Sequence, residues 1–412
     1  DLETTGLDPN LDSVIEIGAV KFNQNRIDSE FSTLINPRKP IPQFISNLTG
    51  ISNSMVQNAP ILPEALPELI DFIGSAPILG QNISFDLAFL HKAGAFRDNA
   101  AIDTYELASV LMPTASRYNL GSLARQLGVL QPATHRALDD AKATHAVYLK
   151  LLEKLEELPL ELVAEILRLS EDLGWKGELP FRWSLQKMLH QGIQPKRVIG
   201  EAGALLYELG KPEKTKPLVP QEVIKPLDAE LLAEALQPGG EFDKHFPEFE
   251  HRSQQVQMLQ AVAQALSEGK HLMVEAGTGI GKSLAYLIPA AHWALQNGER
   301  VVISTNTIAL QDQLIHKDIP DMMTALNLQI NASVLKGRGN YLCPRRLTLM
   351  RRRKLENVDE LRVLAKVLVW LQSSTSGDRN EINLNGSAEN LVWSRLSAED
   401  EGCKLEVCLK RT

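Results

Sequence analysis

Glu275-Ala276-Gly277-Thr278-Gly279-Ile280-Gly281-Lys282-Ser283 sets the pattern for the second half of the chain. A short apolar run, His271 to Val274, comes before it, and an apolar pattern at helical spacing, Leu284 to Leu295, comes after it. Strand, glycine-rich loop, Lys-Ser and helix is the order of a phosphate-binding loop. Glycines let successive N–H groups curl around an anion with no Cβ in the way. The helix N-terminus that follows adds its partial positive charge. On this reading Glu275 to Gly281 wrap the phosphates of ATP, Lys282 reaches the β- and γ-phosphates, and the Ser283 hydroxyl holds Mg²⁺. Ala276 stands where the strict pattern has glycine. The plain alternative is a glycine-rich turn beside a Lys-Ser pair, and the flanking strand and helix patterns argue against it.

A chain of 412 residues is too long for one core, so two or three domains are expected. Hydrophobic content of 44% with 23% charged residues is ordinary for a globular protein, and no run reaches membrane-spanning length. Three cysteines do not make a secreted disulfide framework, which points to the reducing cytoplasm. The net charge of −8 means that contact with a phosphate backbone must use local basic patches.

The first domain spans residues 1 to 155. Val14 to Val20 and part of Ile27 to Ile35 read as strands, and Pro77–Gly80 and Ala101–Asp103 as shorter ones. Helical patterns lie at Leu62–Ile73, Phe85–Ala93, Tyr105–Leu111 and Leu120–Leu127, and a last one starts near His135 and runs towards Leu155. Strands first, then helices alternating with short strands, imply a mixed sheet covered by helices. Asp1 and Glu3 are two apart, so on a strand both face one side. Asp86 and Asp140 each sit at a predicted helix start. Carboxylates gathered this way repel one another unless cations sit among them, and hard oxygen ligands suit Mg²⁺ or Mn²⁺. Two such ions about 4 Å apart stabilise the attacking and leaving oxygens of a phosphodiester. His135, five residues before Asp140, is placed to take a proton from the attacking water. Taken singly these residues also read as a polar loop, a helix N-cap and a surface histidine.

Asp1-Leu2-Glu3-Thr4-Thr5-Gly6, Asn82-Ile83-Ser84-Phe85-Asp86 and His135-Arg136-Ala137-Leu138-Asp139-Asp140-Ala141 together resemble the DnaQ-like, DEDDh-type 3′–5′ exonucleases, and Leu48-Thr49-Gly50-Ile51 adds to the likeness. The resemblance implies a ribonuclease-H-like fold that removes nucleotides from single-stranded DNA or RNA 3′ ends. It makes Asp1, Glu3, Asp86 and Asp140 metal ligands and His135 the general base, with Asp139 facing away. The apolar strand the family carries ahead of its first aspartate is absent, so Asp1 bears a free amino group beside the metal site. The chain looks truncated at both ends, and residues 1–412 are expected to make a poor nuclease.

Residues 156 to 245 read as a helical connector. Leu162, Ile166, Leu169 and Leu173 share one helical face, a second helix covers Trp183 to His190, and Lys211 to Leu227 is a Pro- and Lys-rich extended linker. Leu227 to Leu236 is a short helix ended by Pro238-Gly239-Gly240.

Residues 246 to 412 form the second large domain. A helix follows Gln255, whose side-chain amide lies upstream of the phosphate loop, where it can read adenine. Val301-Val302-Ile303 reads as a buried parallel strand and Ser333-Val334-Leu335 as another. Thr305 to Leu314 offers hydroxyl and amide groups to a phosphate backbone. Gln255, the phosphate loop, Thr305–Leu314 and Lys336-Gly337-Arg338-Gly339-Asn340-Tyr341-Leu342-Cys343 together resemble the DinG- and XPD-like superfamily 2 helicases, with a RecA-like P-loop NTPase fold. In the iron–sulfur members of that family one cysteine follows such a segment and three more come later. Cys343, Cys403 and Cys408 match the first three positions of a 4Fe–4S set, and buried thiols are the plain alternative. Arg345, Arg346, Arg351, Arg352, Arg353 and Lys354 form a basic run that is either a solvated helix face or a phosphate-tracking surface. The acidic pairs available to an ATPase, Asp359-Glu360 and Asp400-Glu401, do not follow apolar strands, so unwinding by residues 1–412 is not expected.

The two resemblances meet in the exonuclease-containing branch of the DinG proteins. The leading expectation is an ATP-binding, metal-dependent 3′–5′ exonuclease with a helicase-like domain, acting in repair or replication. The alternatives are a nuclease that ATP only regulates, and a non-catalytic module whose nucleic-acid affinity depends on ATP.

Overall fold

The computed structural model describes residues 1–130, 135–193, 218–374, 376–398 and 403. The chain forms two compact units: Asp1–Lys211 with Arg338–Thr412, and Pro212–Gly337.

In the first unit β1 (Leu2–Thr4), β2 (Val14–Asn23) and β3 (Arg26–Leu34) make an antiparallel sheet in the order β1-β2-β3. Leu2 pairs with Ile17 and Glu3 with Glu16, while Asn23 pairs with Arg26 across a two-residue loop. Gln24 in that loop has φ 54°, the left-handed geometry that lets a tight hairpin follow the strand twist. β4 (Ile78–Gly80) and β5 (Ala101–Asp103) pair in parallel as a second small sheet. Around them lie α1 (Gln43–Thr49), α2 (Asn53–Val56), α3 (Leu62–Ile73), α4 (Ser84–Lys92), α5 (Thr104–Leu111), α6 (Leu120–Gln126) and α7 (Ala137–Glu156). The expected strands and helices of residues 1–155 all form, with ends moved by a few residues at most. The long α7 buries Ala143, Thr144, Val147, Tyr148, Leu151 and Leu155, the three-and-four spacing of one helical stripe.

The helices α8 (Leu160–Ser170) and α9 (Glu178–His190) were expected as part of a spacer. They belong to the core of the first unit instead: Val163, Ile166, Trp175 and Phe181 pack in one cluster with Leu107, Val110, Leu151 and Leu155. The same cluster takes in Leu347, Leu361, Leu364, Leu368 and Trp393 from the far end of the chain. The boundaries 1–155, 156–245 and 246–412 therefore do not coincide with the compact units. The reason is physical: the helix Val358–Trp370 is buried on nearly every side from Glu360 onward, and an apolar helix of that kind needs neighbours all round.

The second unit holds α10 (Ala229–Glu234), α11 (Glu241–His245), α12 (Ser253–Glu268), α13 (Lys282–Asn297), α14 (Ile308–Gln313) and α15 (Ile319–Ala325), with one π-helical turn at Leu314–Asp318. Leu236, Phe242, Leu259, Ala263, Ala285, Ile288 and Met322 form its core. No strand forms among its described residues. The runs His271–Val274, Val301–Ile303 and Ser333–Leu335 were read as strands, and the structure corrects this: Met273 is 98%, Val302 83% and Leu335 85% exposed. A parallel strand exists only through pairing with neighbours on its edges, and apolar content alone does not supply that pairing. Residues 211–217 of the expected linker lie outside the described residues. Its remainder is pinned: the Gln221 N–H donates to Asn297 O at 2.9 Å and the Lys225 N–H to Asn297 Oδ1 at 2.8 Å.

The remaining helices, α16 (Pro344–Arg352), α17 (Val358–Trp370) and α18 (Ser387–Leu396), complete the first unit. Among the described residues no helix is long and apolar enough to cross a membrane.

Candidate functional site

The carboxylates gather where β1 meets α7. Asp1, Glu3 and Asp140 each present a carboxylate oxygen, and these oxygens lie within 4.8 Å of one another. Glu3 lies on β1 and Asp1 comes immediately before the strand, two residues from Glu3, so the strand's period of two puts both on one face. The first turn of α7 delivers Asp140, which is buried, whereas its neighbour Asp139 is outside the cluster and near Arg136. Asp86 is buried in the first turn of α4, and its Oδ1 accepts the Leu2 N–H at 2.8 Å. It thus touches β1 but is not one of the three converging groups. His135 is exposed on the segment leading into α7.

Crowding leaves its mark on Glu3. Burial first, then the charges of Asp140, Glu16 and Asp86, push its carboxyl up to about 8. Burial also raises Asp86, against the Leu2 N–H that its carboxylate accepts. The Asp1 nitrogen donates to Gly18 O at 2.9 Å, which carries the β1–β2 pairing back to the first residue. Three carboxylates forced together, one of them driven to hold its proton, are what a divalent cation relieves, and the oxygen donor set fits Mg²⁺ or Mn²⁺.

Two supporting features escaped the sequence reading. Glu16, 1% exposed on β2, accepts three hydrogen bonds of 2.6–3.1 Å from Arg136 and one of 2.9 Å from the Ala137 N–H. It ties the start of α7, and with it Asp140, to the sheet. A glutamate inside the apolar run Val14–Val20 was the available signal. Gly18 is the second: a Cβ there would stand 2.1 Å from Leu138 N, so only glycine lets α7 come this close to β2.

The phosphate-type loop belongs to the second unit. Gly279 (φ 82°) and Gly281 (φ 81°) adopt the left-handed conformation the loop reading requires, and α13 starts at Lys282. Lys282 Nζ donates to Ala276 O at 2.9 Å and to Gly277 O at 3.0 Å, so the ammonium spans its own loop. Gln255 is buried and its Nε2 donates to Gly281 O at 2.8 Å, beneath the loop. Glu275, Gly277, Thr278, Gly279 and Lys282 are exposed, and Ala276, Ile280, Gly281 and Ser283 are half-buried. Tyr286 hydrogen-bonds the Ser283 hydroxyl.

In the Thr305–Leu314 segment, the Thr307 hydroxyl accepts the Leu310 N–H at 3.2 Å as an N-cap. Asp312 pairs at 2.9 Å with the buried Lys336 ammonium, which brings two of the singled-out motifs together. Asp359 and Glu360 open α17, where Asp359 pairs with Arg362 at 2.6 Å and Glu360 with Arg353 and Arg395 at 2.7 and 2.5 Å. That acidic pair is structural, and Asp400-Glu401 lie outside the described residues. In the basic run, Arg351 pairs with Glu165 at 2.9 Å and Lys354 with Asp172 at 3.2 Å. Cys343 is buried at the head of α16 and Cys403 is half-buried, both as free thiols, while Cys408 lies outside the described residues.

Residues 1–148 match the exonuclease family and residues 254–355 the DEAD/DEAH box helicase family. Among curated proteins, the 3'-5' exonuclease DinG of Bacillus subtilis (strain 168) is 34% identical over 415 residues, which cover 98% of this chain and 43% of that protein. The 3'-5' exonuclease DinG of Staphylococcus aureus (strain USA300) is 29% identical over 402 residues, 94% of this chain and 42% of that protein. The chain thus spans less than half the length of the curated relatives it matches. Among solved structures, Exonuclease X in complex with 5' overhanging duplex DNA is 28% identical over 37% of this chain and 89% of its own, with a TM-score of 0.32. The chain joins an exonuclease-family domain to a DEAD/DEAH box helicase domain, and its likeness to the 3'-5' exonuclease DinG proteins runs through both.

Proposed function

We propose that the first unit is a metal-dependent exonuclease that removes nucleotides from the 3′ ends of single-stranded DNA or RNA, and that residues 246–412 are the N-terminal part of a helicase ATP-binding domain coupled to it in repair or replication. The observation that carries this reading is the convergence of Asp1, Glu3 and Asp140 within 4.8 Å. Asp86 lies close enough to raise Glu3, which makes it the proposed fourth ligand.

Mg²⁺ or Mn²⁺ held there supplies charge neutralisation for both oxygens of an in-line displacement. The chain's own residues do the rest. Asp1, Glu3, Asp86 and Asp140 fix the cation position. The exposed His135 accepts the proton of the attacking water. The buried Glu16–Arg136 pair keeps α7 seated on the sheet.

In the second unit, Glu275 to Ser283 with Gln255 form the proposed ATP site. A phosphate would take the Lys282 ammonium from the carbonyls of Ala276 and Gly277, and Ser283 would meet Mg²⁺. Cys343, Cys403 and Cys408 would supply three of the thiolates of a 4Fe–4S cluster. The cysteine usage makes the cytoplasm the proposed setting.

The test is degradation of 3′-labelled and 5′-labelled single-stranded DNA and RNA with Mn²⁺, beside Asp140→Ala and Lys282→Ala. The reading expects shortening from the 3′ end that Asp140→Ala abolishes and Lys282→Ala spares. Shortening untouched by Asp140→Ala would overturn it.

A further inference from the structure

Asp86 sits on the first turn of α4, and what sets its position is the turn Gln81-Asn82-Ile83 before it. Asn82 has φ 57°, a left-handed conformation that asparagine tolerates at a small cost and that neighbours must hold in place. Asp103 at the end of β5 does so: its Oδ1 accepts the Asn82 N–H at 2.9 Å and also the Tyr105 N–H at 2.9 Å, capping α5. Thr104 Oγ1 lies 3.1 Å from Gly80 O and donates to Gln81 Oε1 at 2.6 Å. Gln81 Nε2 in turn donates to Tyr118 O at 2.7 Å. The turn that presents Asp86 therefore leans on the head of α5 and on Tyr118.

Both supports are covered by the far end of the chain. Lys366 on α17 is fully buried, with Nζ 5.0 Å from the centre of the Tyr118 ring, and it donates to Asn383 O at 3.1 Å and Glu389 Oε1 at 2.6 Å. Arg362 on α17 lies 3.5 Å from Glu106 Oε1 on α5 and 6.0 Å over the Tyr105 ring. The Asn383 N–H donates to Pro113 O at 2.8 Å. Leu361, Leu364 and Leu368 share one core with Leu107, Val110 and Leu111.

We propose that α17 is a positioning element for the nuclease site, acting through α5 and Tyr118 on the turn 81–83, and that Asp103 is the positioning residue that passes this support to Asp86. The inference rests on the nuclease reading above and adds to it a segment, 341–397, whose first residues belong to the helicase-family match that ends at residue 355. A merely structural α17 would change stability alone. A positioning α17 also changes how tightly the folded protein holds a divalent cation, because a ligand that wanders binds less well.

The experiment is calorimetric titration of Mn²⁺ into residues 1–412, below the unfolding temperature, with circular dichroism confirming the fold of each variant. Asp103→Ala is expected to weaken Mn²⁺ binding about tenfold. Asp103→Asn, which keeps an acceptor oxygen for both N–H groups, is expected to restore most of it. Arg362→Ala, remote from every carboxylate of the cluster, is expected to weaken it by a smaller but measurable factor. Mn²⁺ affinity at the parent value in Asp103→Ala and Arg362→Ala, with only a lowered melting temperature, would overturn the proposal. If Asp103→Ala does not fold, Arg362→Ala decides alone. An intact protein that binds Mn²⁺ but shortens no oligonucleotide defeats the nuclease reading, and the Mn²⁺ affinities of residues 1–412 still decide the positioning claim.

Discussion

Arg136 grips Glu16 from the residue just ahead of α7: Nη2 stands 2.6 Å and Nε 3.0 Å from the same Oε1, and Nε stands 3.1 Å from Oε2. Glu16 is 1% exposed, so this pair is the only charge compensation described for a carboxylate inside the sheet. Arg136→Met leaves that carboxylate buried and unpaired, and the expected loss is about 3 kcal/mol in urea unfolding. Glu16→Gln, which removes the charge and keeps the shape, should cost less than half of that. Equal losses would show that charge is not what matters here.

Glu3 makes the metal-free protein sensitive to alkali. Its carboxyl is pushed up to about 8 by burial and by Asp140, Glu16 and Asp86, against an unfolded value near 4.5. The folded state thus keeps a proton that the unfolded state releases. The stability this provides is fully present below about pH 4.5 and is lost as pH rises to about 8. With a chelator present, the melting temperature should fall across that window, and Glu3→Gln should flatten the fall. Mn²⁺ competes with the same proton, so its stabilising effect should grow as pH rises.

Asp139 and Asp140 are adjacent carboxylates with different surroundings. Asp140 is buried in the cluster with Asp1 and Glu3, and Asp139 is not part of it. Asp140→Ala should lower the rate of 3′-end degradation at least about a hundredfold, and Asp139→Ala less than about fivefold. A rate assay on one labelled oligonucleotide separates them.

Lys282 bridges the carbonyl oxygens of Ala276 and Gly277, and Gln255 braces Gly281 from below. Mg-ATP should raise the melting temperature of the parent, and Lys282→Ala should abolish that rise. Gln255→Ala should reduce both the rise and the ligand-free stability, since it leaves the Gly281 carbonyl without its donor. A Gln255→Ala protein of unchanged ligand-free stability would favour the adenine-reading role alone.

Leu364 belongs to the core shared by α5, α8 and α17. Leu364→Ala should cost about 3 kcal/mol. The loss should appear in the same unfolding transition as that of Leu151→Ala, because both side chains fill one cluster. Two separate transitions would show that residues 338–397 fold apart from the nuclease.

Local chemistry was legible from the residues. The strands and helices of residues 1–155 follow from the β-branched run that opens Val14–Val20 and the stripe through α7. The left-handed glycines of the phosphate-type loop follow from Gly279 and Gly281. The convergence of Asp1, Glu3 and Asp140 was legible because a strand's period of two and a helix start are local facts. Glu16 was legible only as a strand residue, since nothing near it in the chain announces Arg136, 120 positions away. The runs at Val301–Ile303 and Ser333–Leu335 have strand-like composition and make no strand, because a ladder needs a partner that composition does not provide.

By itself the sequence determined the candidate groups: carboxylates whose oxygens suit a divalent cation and a glycine-rich loop whose backbone suits phosphate. Only the tertiary structure decided that Asp86 bonds the Leu2 N–H beside the three converging oxygens, and that Val358–Trp370 packs against α5 and not within the unit that holds the phosphate-type loop. Catalytic residue types and their spacing are written along the chain over a few positions. Which apolar helix buries against which is settled by the total surface removed from water, a sum over residues hundreds of positions apart.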